Sequence, residues 1–155
     1  MRGQNRLAQN QVIWNRRVIK VNRVTKVVKG GKLMSFRAIV AVGNSKGQVG
    51  VGVGKGKNFT SAIENGQTDA RKHIIRVPLT NASSIPHLIT GYYGAAQLLL
   101  RPSPKGSGVL AGGASRIILE LAGVKNILAK QLGSKNLLNN ARATIEGLRN
   151  LQSYK

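Results

Sequence analysis

In this chain of 155 residues, 25 Lys and Arg stand against four Asp and Glu, a net charge of +21, while 41 % of the residues are hydrophobic. That apolar share excludes a disordered basic tail. The lack of any run near the ~20 apolar residues of a membrane helix excludes a span, and the absence of Cys excludes disulfides and thiolate metal sites.

Such a cation excess calls for a polyanion, because phosphate neutralisation with counterion release turns self-repulsion into binding energy. Thirteen basic residues, Arg2 through Lys57, precede the first acid, Glu64, so the first third is a basic surface and nucleic acid is the expected partner. No membrane partner is expected: a membrane surface would want a basic amphipathic helix, and the densest basic stretch here alternates like a strand. The N-terminus also lacks the apolar core of a secretory signal.

Residues 1–15, rich in Asn, Gln and Arg, read as a basic tail that orders on its partner. Trp14 beside a strand start reads as a packing anchor more readily than as a base platform. From Arg16 the period is two, with Ile19 and Val21 on one face and Lys20, Asn22 and Lys26 on the other, a half-buried strand. Gly30-Gly31 predicts a hairpin turn. A second strand follows over residues 33–42, then a turn at residues 43–47 and a third strand over residues 48–55.

The third strand puts Val49, Val51 and Val53 on one face and Gly50, Gly52 and Gly54 on the other. A face of glycine costs roughly 0.5 to 1 kcal/mol per residue against alanine, so it is expected to meet a close backbone, that of a packed helix before that of an RNA. The Ser61-Ala62-Ile63-Glu64 string has the form of a capping box, opening a helix with Ile63, Gly66, Ala70, Ile74 and Val77 on its apolar side. Arg71, Lys72 and Arg76 near its end suit the helix dipole as well as they suit phosphate.

The segment from Val77 to Ser84 interrupts both periodicities and is taken as the boundary between two small domains, residues 16–80 and 85–155. Beyond it the pattern predicts a strand over 85–90, a turn at Gly91-Tyr92-Tyr93-Gly94 with the tyrosines as core and rim, and a strand over 96–101 ended by Pro102 and Pro104. A glycine loop then leads into a helix over 114–122 capped by Gly123, a strand over 126–132, and a final helix after Ser134 or Asn136. That helix aligns Leu138, Ala141, Ile145, Leu148 and Leu151. The fold class is α+β.

Nothing here reads as an enzyme. Asp69 and His73 stand one helical turn apart, the spacing of an ordinary surface pair. Glu120 and Glu146 are isolated, whereas a two-metal site needs converging carboxylates. No metal and no cofactor are expected. Gly54-Lys55 is followed by Gly56 where a phosphate loop wants Ser or Thr, and the Gly50, Gly52 series has Lys55 where a dinucleotide fingerprint wants glycine. Gly106-Ser107-Gly108 and Gly112-Gly113 could form an anion nest, which keeps a small phosphotransferase as an alternative. A free-standing regulator that binds double-stranded RNA is the other.

Longer strings carry more. Arg23-Val-Thr-Lys-Val-Val-Lys-Gly-Gly-Lys32, Ser35-Phe-Arg-Ala38 and Val49-Gly-Val-Gly-Val-Gly-Lys55 resemble the S5 family of small-subunit ribosomal proteins. In the second half Gly106-Ser-Gly-Val-Leu-Ala-Gly-Gly-Ala-Ser-Arg116, Leu119-Glu-Leu-Ala-Gly-Val124, Leu128-Ala-Lys-Gln-Leu-Gly-Ser134 and Asn140-Ala-Arg-Ala-Thr-Ile145 resemble the same family in the same order. The resemblance covers residues 16–151.

It implies a first domain similar to double-stranded-RNA-binding domains, a second of the family's α/β type, and a structural place in the small subunit supporting decoding accuracy and the channel where mRNA enters. The implied partners are small-subunit rRNA, the neighbouring S4 protein and mRNA. The candidate rRNA contacts are Arg16, Arg17, Lys20, Arg23, Lys26, Lys29, Gly30, Gly31, Lys32, Arg37, Lys46, Lys55, Lys57, Arg71 and Lys72. The hairpin from Val24 to Phe36 is expected near the junction of subunit head and body. The candidate S4 contacts are Gly106, Ser107, Gly108, Gly112, Gly113 and Arg116.

The wording of Tyr93-Gly-Ala-Ala96 and of Lys130 to Ala141 is nearest to plastid members. A plastid ribosome is therefore expected, with a bacterial or mitochondrial one as the alternative. The chain stops at Lys155, before the longer tail of many bacterial members, so contacts made through such a tail are not expected.

Overall fold

The computed structural model describes residues 12–153; of the basic tail read at 1–15, residues 1–11 lie outside it. The first half is a sheet of order β1-β2-β3-β4, formed by β1 (Asn15–Val28), β2 (Gly31–Gly43), β3 (Gln48–Gly56) and the short β4 (Ile75–Arg76), with α1 (Phe59–Lys72) between the last two strands. The second half is a sheet of order β5-β6-β8-β7, formed by β5 (Ile89–Tyr93), β6 (Ala96–Pro102), β7 (Val109–Leu110) and β8 (Ile127–Gln131), with α2 (Gly113–Ala122) and α3 (Leu137–Arg149). All pairings are antiparallel except β7 with β8.

The predicted meander is present, with two changes of detail. Val28 pairs with Gly31, so the hairpin turn is Lys29-Gly30, with only Gly30 of the two in the left-handed region, at φ +96°. Ile19 is a bulged residue between the pairs Val18–Val40 and Lys20–Ile39. The extra residue shifts the alternation, so Ile19 packs toward the second half while Val21 packs toward α1. Trp14 is half-buried against that same α1-side cluster, as an anchor.

The glycine face of β3 meets α1. A Cβ on Gly52 would fall on the amide nitrogen of Ala70, one on Gly54 on backbone of Ala62 and Gly66, and one on Gly56 2.6 Å from the nitrogen of Ala62. Gly66 answers from the helix, where a Cβ would stand 2.8 Å from Val40 Cγ2. Beyond the short β4 pairing, β3 is an edge, and the Asp69 carboxylate accepts from the Val53 N–H at 3.0 Å there, tying helix to strand. The second half repeats the device: a Cβ on Gly91 of β5 would meet the Ala143 carbonyl of α3, and one on Gly147 would stand 3.3 Å from Gly91 Cα.

α1 starts at Phe59 with Asn58 as N-cap, without a side-chain capping bond, so the Ser61–Glu64 capping box is corrected: Ser61 already lies inside the helix. Ile74 and Val77 lie beyond its C-cap, His73. The strand expected at 85–90 begins only at Ile89, and Gly91, Tyr92 and Tyr93 are strand, not turn. Neither tyrosine is core; Tyr92 is 63 % exposed. α3 begins after Asn136, whose side chain accepts from the Leu138 N–H at 3.0 Å.

Two clusters form the interior. The smaller holds Ala38, Val40, Val42, Ala62 and Ala70 between β2 and α1. The larger joins Ala41 and Val49 of the first sheet to Leu98, Leu100, Ile118, Leu119, Ile127 and Leu148 of the second half, where each buried Leu or Ile contributes about 1.5–3 kcal/mol. The first sheet is therefore covered on both faces, by α1 and by α2.

Backbone bonds seal the junction: Ser45 N–H donates to Leu121 O at 2.9 Å and Gly47 N–H to Ala122 O at 2.8 Å. The boundary segment is held just as firmly. Val77 N–H donates to Gly47 O at 2.6 Å, and Lys125 N–H to Ser83 O at 2.8 Å.

Candidate nucleic-acid interface

β3 reaches only as far as the Phe36–Gly56 pair, while β1 and β2 continue together out to Val28–Gly31. The hairpin therefore leaves the body as a two-stranded ribbon with five pairs beyond Phe36, roughly 16 Å long at strand rise. Register assigns its faces. Lys20, Asn22 and Lys26 share one face with Arg37, which stands opposite Asn22; Arg23 stands opposite Phe36 on the other. Lys29, Gly30, Gly31 and Lys32 form the exposed tip.

No acidic residue occurs on either strand. Among the described residues Lys20, Arg23, Lys26, Lys29, Lys32, Lys55 and Lys57 are exposed and take part in no ion pair. Arg37 is half-buried, and its Nε is buried with no hydrogen-bond partner among the described residues.

The remaining candidates lie elsewhere. α1 runs back along β3, so Arg71 and Lys72 in its last turn stand at the end of the sheet that carries Lys46. That end is roughly 40 Å from the hairpin tip, given the 13 residues of β2. Arg16 and Arg17 at the start of β1 already have partners: Arg16 Nη1 donates to Gln67 Oε1 at 2.7 Å, and Arg17 Nη1 pairs with Glu120 Oε2 at 2.5 Å. The ribbon, its root and the adjoining end of β3 thus gather Arg23, Lys26, Lys29, Lys32, Arg37, Lys55 and Lys57; Lys20, opposite Ile39, stands three rows inside the body, and Arg16, Arg17, Lys46, Arg71 and Lys72 lie apart.

Glu120 carries more than its isolation in sequence suggests. It accepts from Arg116 Nε at 3.1 Å as well as from Arg17, joining α2 to β1. The Arg116 hydrogen bond first, then Arg17, hold its carboxyl below the usual carboxylate range, against partial desolvation.

In the glycine loop, Gly106 and Gly108 have positive φ, +95° and +75°, as a nest requires. Both amides are already engaged, donating to Asn126 Oδ1 at 3.0 and 3.3 Å. Asn126 is buried and also donates from Nδ2 to Ala82 O at 2.6 Å, tying the loop to the boundary segment. No sequence motif marked Asn126; a polar residue opening an apolar strand was its only signal. Gly112 is the N-cap of α2, and Arg116 is exposed on its second turn.

His73 Nδ1 lies 3.6 Å from Asp69 Oδ1, and Asp69 is engaged by Val53. Among the described residues no three His, Asp or Glu side chains converge, and no helix is long and apolar enough to cross a membrane.

Residues 14–78 match the family described as ribosomal protein S5, N-terminal domain, and residues 91–155 match ribosomal protein S5, C-terminal domain. The chain is 63 % identical over 145 residues to the small ribosomal subunit protein uS5c of Emiliania huxleyi, covering 94 % of this chain and 91 % of the relative. It is 59 % identical over 150 residues to uS5c of Guillardia theta, covering 97 % and 89 %. Against the small ribosomal subunit protein uS5 of the cyanobacterium Synechococcus elongatus it is 60 % identical over 142 residues, covering 92 % and 79 %. Two successive domain matches and identities of this size over nearly the whole chain make it a member of the ribosomal protein S5 family.

Proposed function

We propose that the chain is a structural, rRNA-binding constituent of a small ribosomal subunit of the plastid and cyanobacterial kind, with no catalysis of its own. Within the family setting, the observation that carries this reading is the projecting ribbon: its lysines are exposed and, among the described residues, in no ion pair, on strands without a single acid. A two-stranded ribbon of this charge can follow a sugar-phosphate surface, where shape and phosphate contacts matter more than base reading.

Residues 16–80 would hold rRNA through the ribbon group, with Arg71, Lys72 and Lys46 meeting a second stretch of backbone at the far end of the sheet. Residues 85–155 would face the neighbouring S4 protein through the loop from Gly106 to Gly113 and Arg116, helping to keep decoding accuracy and the channel where mRNA enters. A nucleotide-binding loop is disfavoured, since a phosphate would first have to displace Asn126 from Gly106 and Gly108.

Sedimentation in low salt tests the assignment: the native protein travels with small subunits, and a protein that stays at the top of the gradient contradicts it. Lys26→Ala with Lys29→Ala tests the ribbon. Binding to isolated small-subunit rRNA should lose about 1.4 to 1.8 from the slope of log affinity against log salt, at roughly 0.7 to 0.9 per phosphate contact. An unchanged slope removes the ribbon from the interface.

A further inference from the structure

The apolar part of the ribbon base is unexplained by lysine contacts alone. Phe36 stands opposite Arg23 on one side and Gly56 on the other, on the face that α1 covers further along the sheet. α1 begins at Phe59, so among the described residues no helix covers the face outward of this row, and Met34, next out on that face opposite Thr25, is 50 % exposed. Phe59 sets its ring edge-on to Phe36, with centroids 6.5 Å apart and planes at 80°, and is still 53 % exposed.

Arg23 stands opposite Phe36, Lys57 lies on the chain between Gly56 and Phe59, and Lys32 lies further out on the Phe36 face; among the described residues none has an ion pair. A ring held by a second ring loses little freedom when something stacks on it. The three named cations beside the rings favour an occupant that is flat and anionic at its margins. An unpaired nucleobase with its flanking phosphates has both properties. A base inside a duplex does not, because its faces are already stacked.

Building on the rRNA-binding reading above, we propose that Phe59, backed by Phe36, is a stacking platform for an unpaired base of RNA lying along the ribbon, with Arg23 and Lys57 meeting the adjacent phosphates. The site selects looped or bulged RNA over fully paired RNA at the root of a ribbon whose lysines make no such distinction.

The test titrates the full chain with two probes, an RNA stem-loop carrying 5-iodouracil in its loop and a fully paired RNA duplex, across a range of salt. Phe59→Leu keeps the apolar volume and removes the ring. It should weaken stem-loop binding roughly 5- to 150-fold, the range one stacked base supplies, while duplex affinity and both salt slopes stay as in the wild type. Phe59→Trp should retain stem-loop affinity, and irradiation of the wild-type complex should crosslink the loop to Phe59. Equal stem-loop affinity for wild type and Phe59→Leu, or a crosslink confined to other residues, overturns the platform and assigns the strip to a protein neighbour, while salt-dependent binding of both probes leaves the rRNA reading intact. Failure of the wild type to bind either probe overturns that reading as well.

Discussion

In β3, Gly50, Gly52, Gly54 and Gly56 stand so near α1 that any Cβ would run into helix backbone, whereas Gly106, Gly108 and Gly112 before α2 have, among the described residues, nothing within 4 Å of where a Cβ would be. Both stretches look alike as glycine-rich strings. In the first the missing side chain allows two backbones to touch; in the second it allows a backbone path and leaves space outside it. The two cases differ in what surrounds the residue, and only folding supplies that.

Alanine tests the contrast most severely. Gly52→Ala forces α1 away from the sheet and should cost about 3 kcal/mol or more, at the upper end for overpacked sites. Gly112→Ala, at φ −98° in open space, should change stability by about 0.5 kcal/mol or less. Urea melts of the two variants give the comparison directly, and equal losses would abolish it.

Asn126→Ala sharpens it from the other side. If the loop holds its path through the Gly106 and Gly108 amides, stranding those donors should cost roughly 1–3 kcal/mol. Hydrogen exchange at those two amides should accelerate together, and exchange unaltered at both would mean the loop is held by something else.

The smallest effect expected is at the clasp between the regions. Glu120→Gln should cost about 1 kcal/mol or less, as for other partly exposed ion pairs. Because Glu120 is held below its ordinary range, its contribution is present above roughly pH 4.5, the ordinary glutamate value, and fades as the pH falls through the lower folded one. The difference in thermal midpoint between wild type and Glu120→Gln should therefore close on acidification; a gap that widens would reverse the assignment.

Much of this was legible before folding. Period two in the first third, the hairpin glycines and the glycine face of β3 predicted the sheet and the helix packed on it, because these signals are local and repeat. What escaped depended on single residues or distant partners. One bulged residue, Ile19, sends neighbouring apolar side chains to opposite faces, and no composition rule anticipates it. Ser61–Glu64 had the spacing of a cap but sits inside a helix that Asn58 begins. Tyr92 and Tyr93 looked like turn residues because two glycines flank them, yet Gly91 is there for the close approach of α3.

The candidate site divides in the same way. Unpaired lysines could be read from the absence of acids nearby, since charge balance is a property of the string. Phe59 could not, because an apolar residue near a helix start reads as core until its exposed surface is seen. Asn126 and the engagement of Arg17 by Glu120 lie further off still, as both join residues far apart in sequence.

Helices on both sides of the first sheet leave its broad surfaces occupied by protein. Unlike sheets that lay nucleotides across an open face, this one can offer a polyanion only its margin and its overhang. With the ribbon contacts proposed above, a molecule of this shape would grip like a pin and not like a palm, so shortening the hairpin should strip away much of its hold while the rest stays folded, and widening the sheet would add nothing.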